Sequence, residues 1–277
     1  MLGKLLKHEF RATGRVMLPV LGVLLVLALL FNISIRYIDT VDSNLLRVMF
    51  GLIIFVFFVG VIAAALIAVV LMVNRFYKNL LGDEGYLMFT LPTDVHALVW
   101  SKLIVSFVWF FVTALIIFLI IFGTTFSFNA TELREFFYGF PSWAEIREAL
   151  AEIGLSVGDL ALLGVEYLLI LIVSGLTVCL HFYAAMALGH SFANHKVLYS
   201  ILFFIAISLV FQFLSLFLGV ASIESFDGLH IGYYQTAADS VNSVKLMFAY
   251  ILGGELLQGG ILYAITTLSL KKRLNLA

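Results

Sequence analysis

Charge is what this chain has least of. Only 12% of its 277 residues are Asp, Glu, Lys or Arg, 63% are hydrophobic, and the mean hydropathy is +1.12. A water-soluble domain carries about a quarter charged residues, so this composition excludes one and places the chain in a bilayer. Cysteine is nearly absent. Cys179 stands alone, which rules out an intrachain disulfide and gives no sign of redox chemistry. No GxxxxGK[ST] phosphate loop occurs, and HExxH, GxSxG and paired-cysteine metal patterns are missing too. The chain is therefore not expected to be an enzyme, to hold a metal or to hydrolyse nucleotide by the phosphate-loop route. With a net charge of −1, nucleic acid is not an expected partner.

What is present is long apolar runs. They are continuous rather than alternating, which points to helices and not to barrel strands. About 20 such residues cross the hydrocarbon core, and six spans are read at Val16–Ile35, Met49–Val73, Ala97–Phe122, Leu160–Leu188, Val197–Val220 and Leu246–Leu270. The expected fold class is an all-α polytopic integral membrane protein, organised as a single transmembrane domain over 1–277. The first run is too long for a signal-peptide core and lacks a cleavage site before Arg36. The basic residues set the orientation. With the N-terminus inside, Lys4, Lys7, Arg11, Arg15, Arg75, Lys78, Lys102, Lys196, Lys271, Lys272 and Arg273 are inside, and Arg36, Arg47, Arg134, Arg147 and Lys245 are outside. That is 11 of the 16 against 5, so both termini are expected in the cytoplasm.

Ahead of the first span, Leu2, Leu5, Leu6, Phe10 and Thr13 recur at helical spacing among Lys4, Lys7, His8, Arg11 and Arg15. This pattern describes an amphipathic helix over 1–15 lying on anionic headgroups, or else a basic flank that fixes topology. Gly14 and Pro19 are read as the turn into the membrane. In the outside loop 123–159, Ser142 and Glu145 form a capping-box pattern for a short helix carrying Trp143, Ile146, Leu150 and Ile153, with Gly154 as its stop. Asn129–Thr131 matches a glycosylation sequon, read as a chance match. Residues Ala221–Ser243 fit either a plain loop or a re-entrant segment.

Polar residues inside spans are expensive and therefore informative. Taking Glu166 as zero, Thr177, His181 and Ser174 fall near about 20°, 60° and 80° on a helical wheel. Gln212 lies with Ser208 and Ser215 on the fifth span, and Glu255 lies with Thr266 and near Gln258 on the sixth. Glu166, Ser174, Thr177, His181, Gln212, Glu255 and Gln258 are thus candidates for a pathway through spans four to six; interhelical hydrogen bonding is the plainer alternative. Two glycine pairs, 253–254 and 259–260, bracket Glu255 and permit a hinge or close packing. His181, His190 and His195 are spaced by nine and five residues, which does not put them on one helical face as ligands.

The segment Asn74–Pro92 between spans two and three is richer in aromatics, glycine and charge than a turn requires. Its Glu84-Gly85-x-Leu87-x-x-x-Leu91-Pro92 pattern, with Lys102 opening the next span, resembles the permease subunits of the ABC-2 transporter family. The basic amphipathic N-terminus, the six spans and the Lys271-Lys272-Arg273 tail extend the resemblance over most of the chain. It implies a cytoplasmic coupling helix within loop 74–96 that docks on a separate ATP-binding subunit. Asp83, Glu84, Gly85, Tyr86, Leu87, Met88, Phe89, Leu91 and Pro92 would form it. ATP and Mg would sit on that partner, with no cofactor in this chain. The expected assembly has two cytosolic ATP-binding subunits and a second permease chain, identical or related, in the lipid of a bacterial plasma membrane. Export of an amphipathic substrate such as an antimicrobial peptide, lipid or drug is the implied activity. A proton-coupled carrier using Glu166 or Glu255 and a non-transporting sensor or resistance subunit bound to an ATPase are the alternatives.

Overall fold

A backbone surrounded by hydrocarbon has to satisfy its N–H and C=O groups internally, and an α-helix does so without a partner. The computed structural model, which describes residues 2–90, 94–125, 134, 138–152, 155–192, 194–227 and 237–272, follows that rule. Helix α1 covers Leu2–Tyr37, and α2 covers Asn44–Phe76 and continues as a π-helical turn over Tyr77–Leu81. Then come α3 (Asp83–Thr90), α4 (Val95–Thr125), α5 (Trp143–Glu152), α6 (Val157–Gly189), α7 (Lys196–Asp227) and α8 (Ala237–Lys272). Among the described residues there is no strand. Helices α1, α2, α4, α6, α7 and α8 are long and apolar enough to cross a membrane.

Two boundaries differ from the sequence reading. Helix α1 runs unbroken for 36 residues through Gly14 and Pro19. Pro19 lacks an N–H and leaves the Arg15 carbonyl without its helical donor, yet the chain does not turn there. At 1.5 Å per residue α1 is about 54 Å long, well beyond a hydrocarbon core of about 30 Å. Its basic first turns thus extend the spanning helix. Helix α2 likewise passes Val73, and the first part of the expected loop, 74–81, is helical.

Leu91 and Pro92 lie outside the described residues, as do Asn129–Thr131, Ile153, Gly154, Tyr233 and Tyr234. Of Ala221–Ser243, the backbone is helical to Asp227 and again from Ala237, and 228–236 lies outside. Ser142 and Glu145 do form the reciprocal cap of α5, through Ser142 N–H to Glu145 Oε2 (2.8 Å) and Glu145 N–H to Ser142 Oγ (3.3 Å). Trp143 on that helix is 72% exposed.

The chain divides into two compact units, Met1–Phe137 and Tyr138–Ala277. In the first, α1 packs on both α2 and α4, and α2 packs on α4. Leu24, Ala28, Phe31, Phe57 and Ala64 form its apolar cluster, with Phe31 stacked on Phe57 at 4.3 Å between ring centres. In the second unit α6 is the central element. It packs along both α7 and α8, whereas among the described residues α7 and α8 do not pack extensively on each other. Contacts of α6 residues 159, 167 and 177 with α8 residues 245, 248 and 255 put those two helices parallel. Contact of His181 with Ser208 and of Gly189 with Ser200 makes α6 and α7 antiparallel.

The α6–α7 crossing is tightest at Gly189. A β-carbon there would lie 2.5 Å from the Ser200 backbone nitrogen and 2.6 Å from its Cα, and backbone cannot move aside as a side-chain tip can. Gly189→Ala should destabilise the chain by about 1–3 kcal/mol. Gly164→Ala, where nothing lies within 4 Å, should not. Thermal unfolding of both variants in detergent checks this, and equal melting temperatures would refute the crossing.

Candidate functional site

Two polar assemblies stand out, one in each unit. The first is built around Glu9, the sole acidic residue among the first 38. It falls on the same stripe as Leu2, Leu5, Leu6 and Thr13, so the α1 face that packs inward carries a carboxylate. Glu9 is 7% exposed and forms an ion pair with Lys102 of α4, itself 3% exposed. Asn79, 6% exposed, comes from the π-helical turn of α2. The amide orientation that satisfies both of its ends has the oxygen accepting from Lys102 Nζ at 2.8 Å and the nitrogen donating to Glu84 Oε2 of α3 at 3.1 Å. Four elements thus meet through four side chains.

The neighbouring contacts extend this seam. Trp109 Nε1 donates to Thr13 Oγ1 at 2.8 Å, and Thr13 Oγ1 donates to the Glu9 carbonyl at 2.8 Å. The Trp109 ring lies over Gly14, where a β-carbon would be 3.6 Å away. A cavity of about 10 Å³ beside Glu9, Arg75, Lys102 and Trp109 has the room of one water.

Helix α3 is seated on the same structure. The π-helical turn closes with Gly82 N–H donating to the Tyr77 carbonyl at 2.8 Å, and its wider winding turns Asn79, Leu80 and Leu81 all inward. Gly85 presses directly on that turn. A β-carbon there would lie 2.7 Å from the Leu80 carbonyl oxygen and 2.9 Å from its carbon, so only glycine fits. Of the residues expected in a docking element, Asp83, Glu84, Gly85, Tyr86, Leu87, Met88 and Phe89 all fall within the α3 helix. Glu84 is exposed and reaches the network only as the acceptor of the Asn79 amide, and Met88 is half-buried. The side chains of Asp83, Tyr86, Leu87 and Phe89 lie outside the described residues.

The second assembly lies within the other unit. Ser174, Thr177 and His181 of α6, Ser208 of α7, and Glu255 and Gln258 of α8 line one cavity of about 210 Å³. His181 Nε2 is 2.9 Å from Ser208 Oγ, whose proton is donated to the Phe204 carbonyl at 2.8 Å. With that proton committed to Phe204, the imidazole Nε2–H donates to Ser208. Thr177 Oγ1 donates to the Glu255 carbonyl at 3.4 Å, and it would lie 3.0 Å from a β-carbon at Gly259. Of the four glycines bracketing Glu255, only Gly259 makes a close approach; 253, 254 and 260 face open space.

Five of the seven sequence-read pathway residues converge on this cavity, joined by Ser208. Glu166 and Gln212 do not line it, and Gln212 is exposed. Glu255 and Gln258 also border a second cavity of about 470 Å³, walled by Phe211, Leu214, Tyr250, Ile251 and Leu257 among others. Oε2 of both Glu166 and Glu255 is buried with no hydrogen-bond partner among the described residues. Also among the described residues, no group of three or more His, Cys, Asp or Glu could hold a metal ion.

The sequence reading missed Glu9 and Asn79. Glu9 was legible as an acid on the apolar stripe of a basic helix. Asn79 continues the buried positions Phe57, Ala64, Ala68, Met72 and Phe76 of α2 past the point where local hydropathy drops. No family model, curated protein or solved structure matches the chain.

Removing one partner of a buried ion pair leaves an uncompensated charge, which destabilises by about 3–5 kcal/mol. Lys102→Met alone should therefore lower the melting temperature strongly. Glu9→Gln combined with Lys102→Met should recover most of the loss. A double variant no more stable than Lys102→Met would show that the pair is not coupled.

Proposed function

We propose that this chain is the membrane-embedded permease subunit of an ATP-driven exporter of the ABC-2 type, working beside a second permease chain and two cytosolic ATP-binding subunits. The observation that carries this reading is the seating of α3. A helix that receives force from a partner has to be short, accessible and stiffly joined to the spans it moves. Helix α3 is eight residues long, abuts the π-helical turn at Gly85, and is tied through Glu84 and Asn79 to Lys102 and Glu9. Displacement of α3 is thereby passed to α1, α2 and α4 together.

In this reading ATP and Mg reside on the partner subunits, and their closure drives the α3 helices of two permease chains. An effector shifts a conformational equilibrium only by its differential affinity for the two states, and the Glu9–Lys102–Asn79 network, reached from α3 through the exposed Glu84, supplies a path for that difference. The end of the first unit that carries α3 and the chain's N-terminus faces the cytoplasm, in agreement with the basic-residue count, in a bacterial plasma membrane. The cargo is amphipathic and crosses by the helices of the two permease chains.

The carrier alternative draws on one observation, the buried and unpartnered oxygens of Glu166 and Glu255. Proton-driven, ATP-independent uptake into vesicles, abolished by Glu255→Gln, would select it.

Purification from native membranes should bring down a phosphate-loop ATPase. Phe89→Ala should weaken its retention by about fivefold or more, as expected when an apolar anchor worth at least about 1 kcal/mol is truncated. Glu84→Arg should do the same while leaving the chain monodisperse and helical. Retention unchanged in both variants would sink the docking assignment.

A further inference from the structure

The second unit holds a feature that ATPase docking does not use. Helices α7 and α8 both lean on α6 but, among the described residues, do not pack extensively on each other, and two cavities open beside them with Glu255 at their junction. The two differ in chemistry. One is ringed by hydroxyl, imidazole, carboxamide and carboxylate groups, and the other chiefly by aliphatic and aromatic side chains. We propose that together they form a binding site for a monocationic amphiphile, with its ammonium group at Glu255 and its alkyl chain in the apolar cavity between α7 and α8.

Its hydrogen bonding selects that ligand chemistry. Two of the polar cavity's hydroxyl protons are already committed. The Ser208 hydroxyl donates to the Phe204 carbonyl and the Thr177 hydroxyl to the Glu255 carbonyl, so neither proton is available to a guest. The cavity also holds an open acceptor, since Glu255 Oε2 is buried with no hydrogen-bond partner among the described residues. An ammonium group brings three donors and the opposite charge. An anionic head group would meet Glu255 with no Lys or Arg among the residues that line the cavity.

The walls fit the same head group. Phe182 and Phe204 line the polar cavity, with ring centres 4.8 Å apart and the Phe204 ring edge-on to His181. Aromatic faces stabilise a nearby cation by about 0.5–2 kcal/mol. Size fits as well. At about 470 Å³, the apolar cavity falls within the range of about 300–1,000 Å³ found for small-molecule sites, and the polar one at about 210 Å³ admits a head group and not a second tail. Every residue involved belongs to the second unit, so the site stands whether or not α3 docks an ATPase.

The test uses the full chain in phosphatidylcholine nanodiscs, titrated calorimetrically with decylammonium chloride or with neutral decanol, and with empty nanodiscs subtracted. Decylammonium should bind saturably, near one per chain and at least tenfold more tightly than decanol. Glu255→Gln should weaken it at least tenfold. Ser208→Leu, which fills the polar cavity and keeps the carboxylate, should do likewise, so the result does not hang on one variant folding. Glu148→Gln on exposed α5 should change nothing. Absence of saturable binding, the result if bilayer lipid or a second copy of the chain fills the groove, would overturn the proposal. So would equal binding of decanol, or binding indifferent to both Glu255→Gln and Ser208→Leu.

Discussion

Taking a carboxylate and an ammonium out of water costs several kcal/mol for each ion, so burial of Glu9 and Lys102 constrains everything around them. Each must meet the other, and the remaining proton and lone pairs must be met as well. Asn79 meets them, and it can do so only because α2 continues past Val73 and widens into a π-helical turn. That turn in turn requires Gly85, since any side chain there would strike the Leu80 carbonyl. The extension of α2 and the seating of α3 thus meet at one paired charge.

The second unit differs. Besides the Asp159–Lys245 ion pair, six of its polar side chains are gathered around a space. The hydroxyls of Thr177 and Ser208 are satisfied by backbone carbonyls, while the carboxylates of Glu166 and Glu255 each keep a buried oxygen without a partner. A satisfied network stiffens, and an unsatisfied one favours a ligand that completes it. The contrast leaves the polar side chains around Glu9 engaged with one another and a buried acceptor open at Glu255.

Much of this was readable from residue order. The six spanning helices, the α5 cap at Ser142 and Glu145, and the shared face of Ser174, Thr177 and His181 follow from periodicity and local hydrogen bonding, which act over a few residues. The short helix over Asp83–Thr90 was expected from a motif. What escaped was of two kinds. Glu9 was overlooked because basic residues dominate its neighbourhood, although its place on the apolar stripe marked it. Lys102 reads as a cytoplasmic charge and as the basic residue that follows the Leu91-Pro92 pattern, and nothing in its local sequence says that it faces a carboxylate 93 residues away.

By itself the sequence determined the solvent and the elements. Too little charge and long apolar runs leave only spanning helices, because hydrocarbon offers no partner for free backbone groups. The tertiary structure decided which polar residues meet. It joined Glu9, Asn79, Glu84 and Lys102 from four elements, brought Glu255 beside His181 and Ser208, and left Gln212 and Glu166 out of the cavity. Helical spacing fixes which residues share a face of one helix. The neighbour that the face turns toward depends on how side chains such as Trp109 over Gly14, or Ser200 over Gly189, pack at close range.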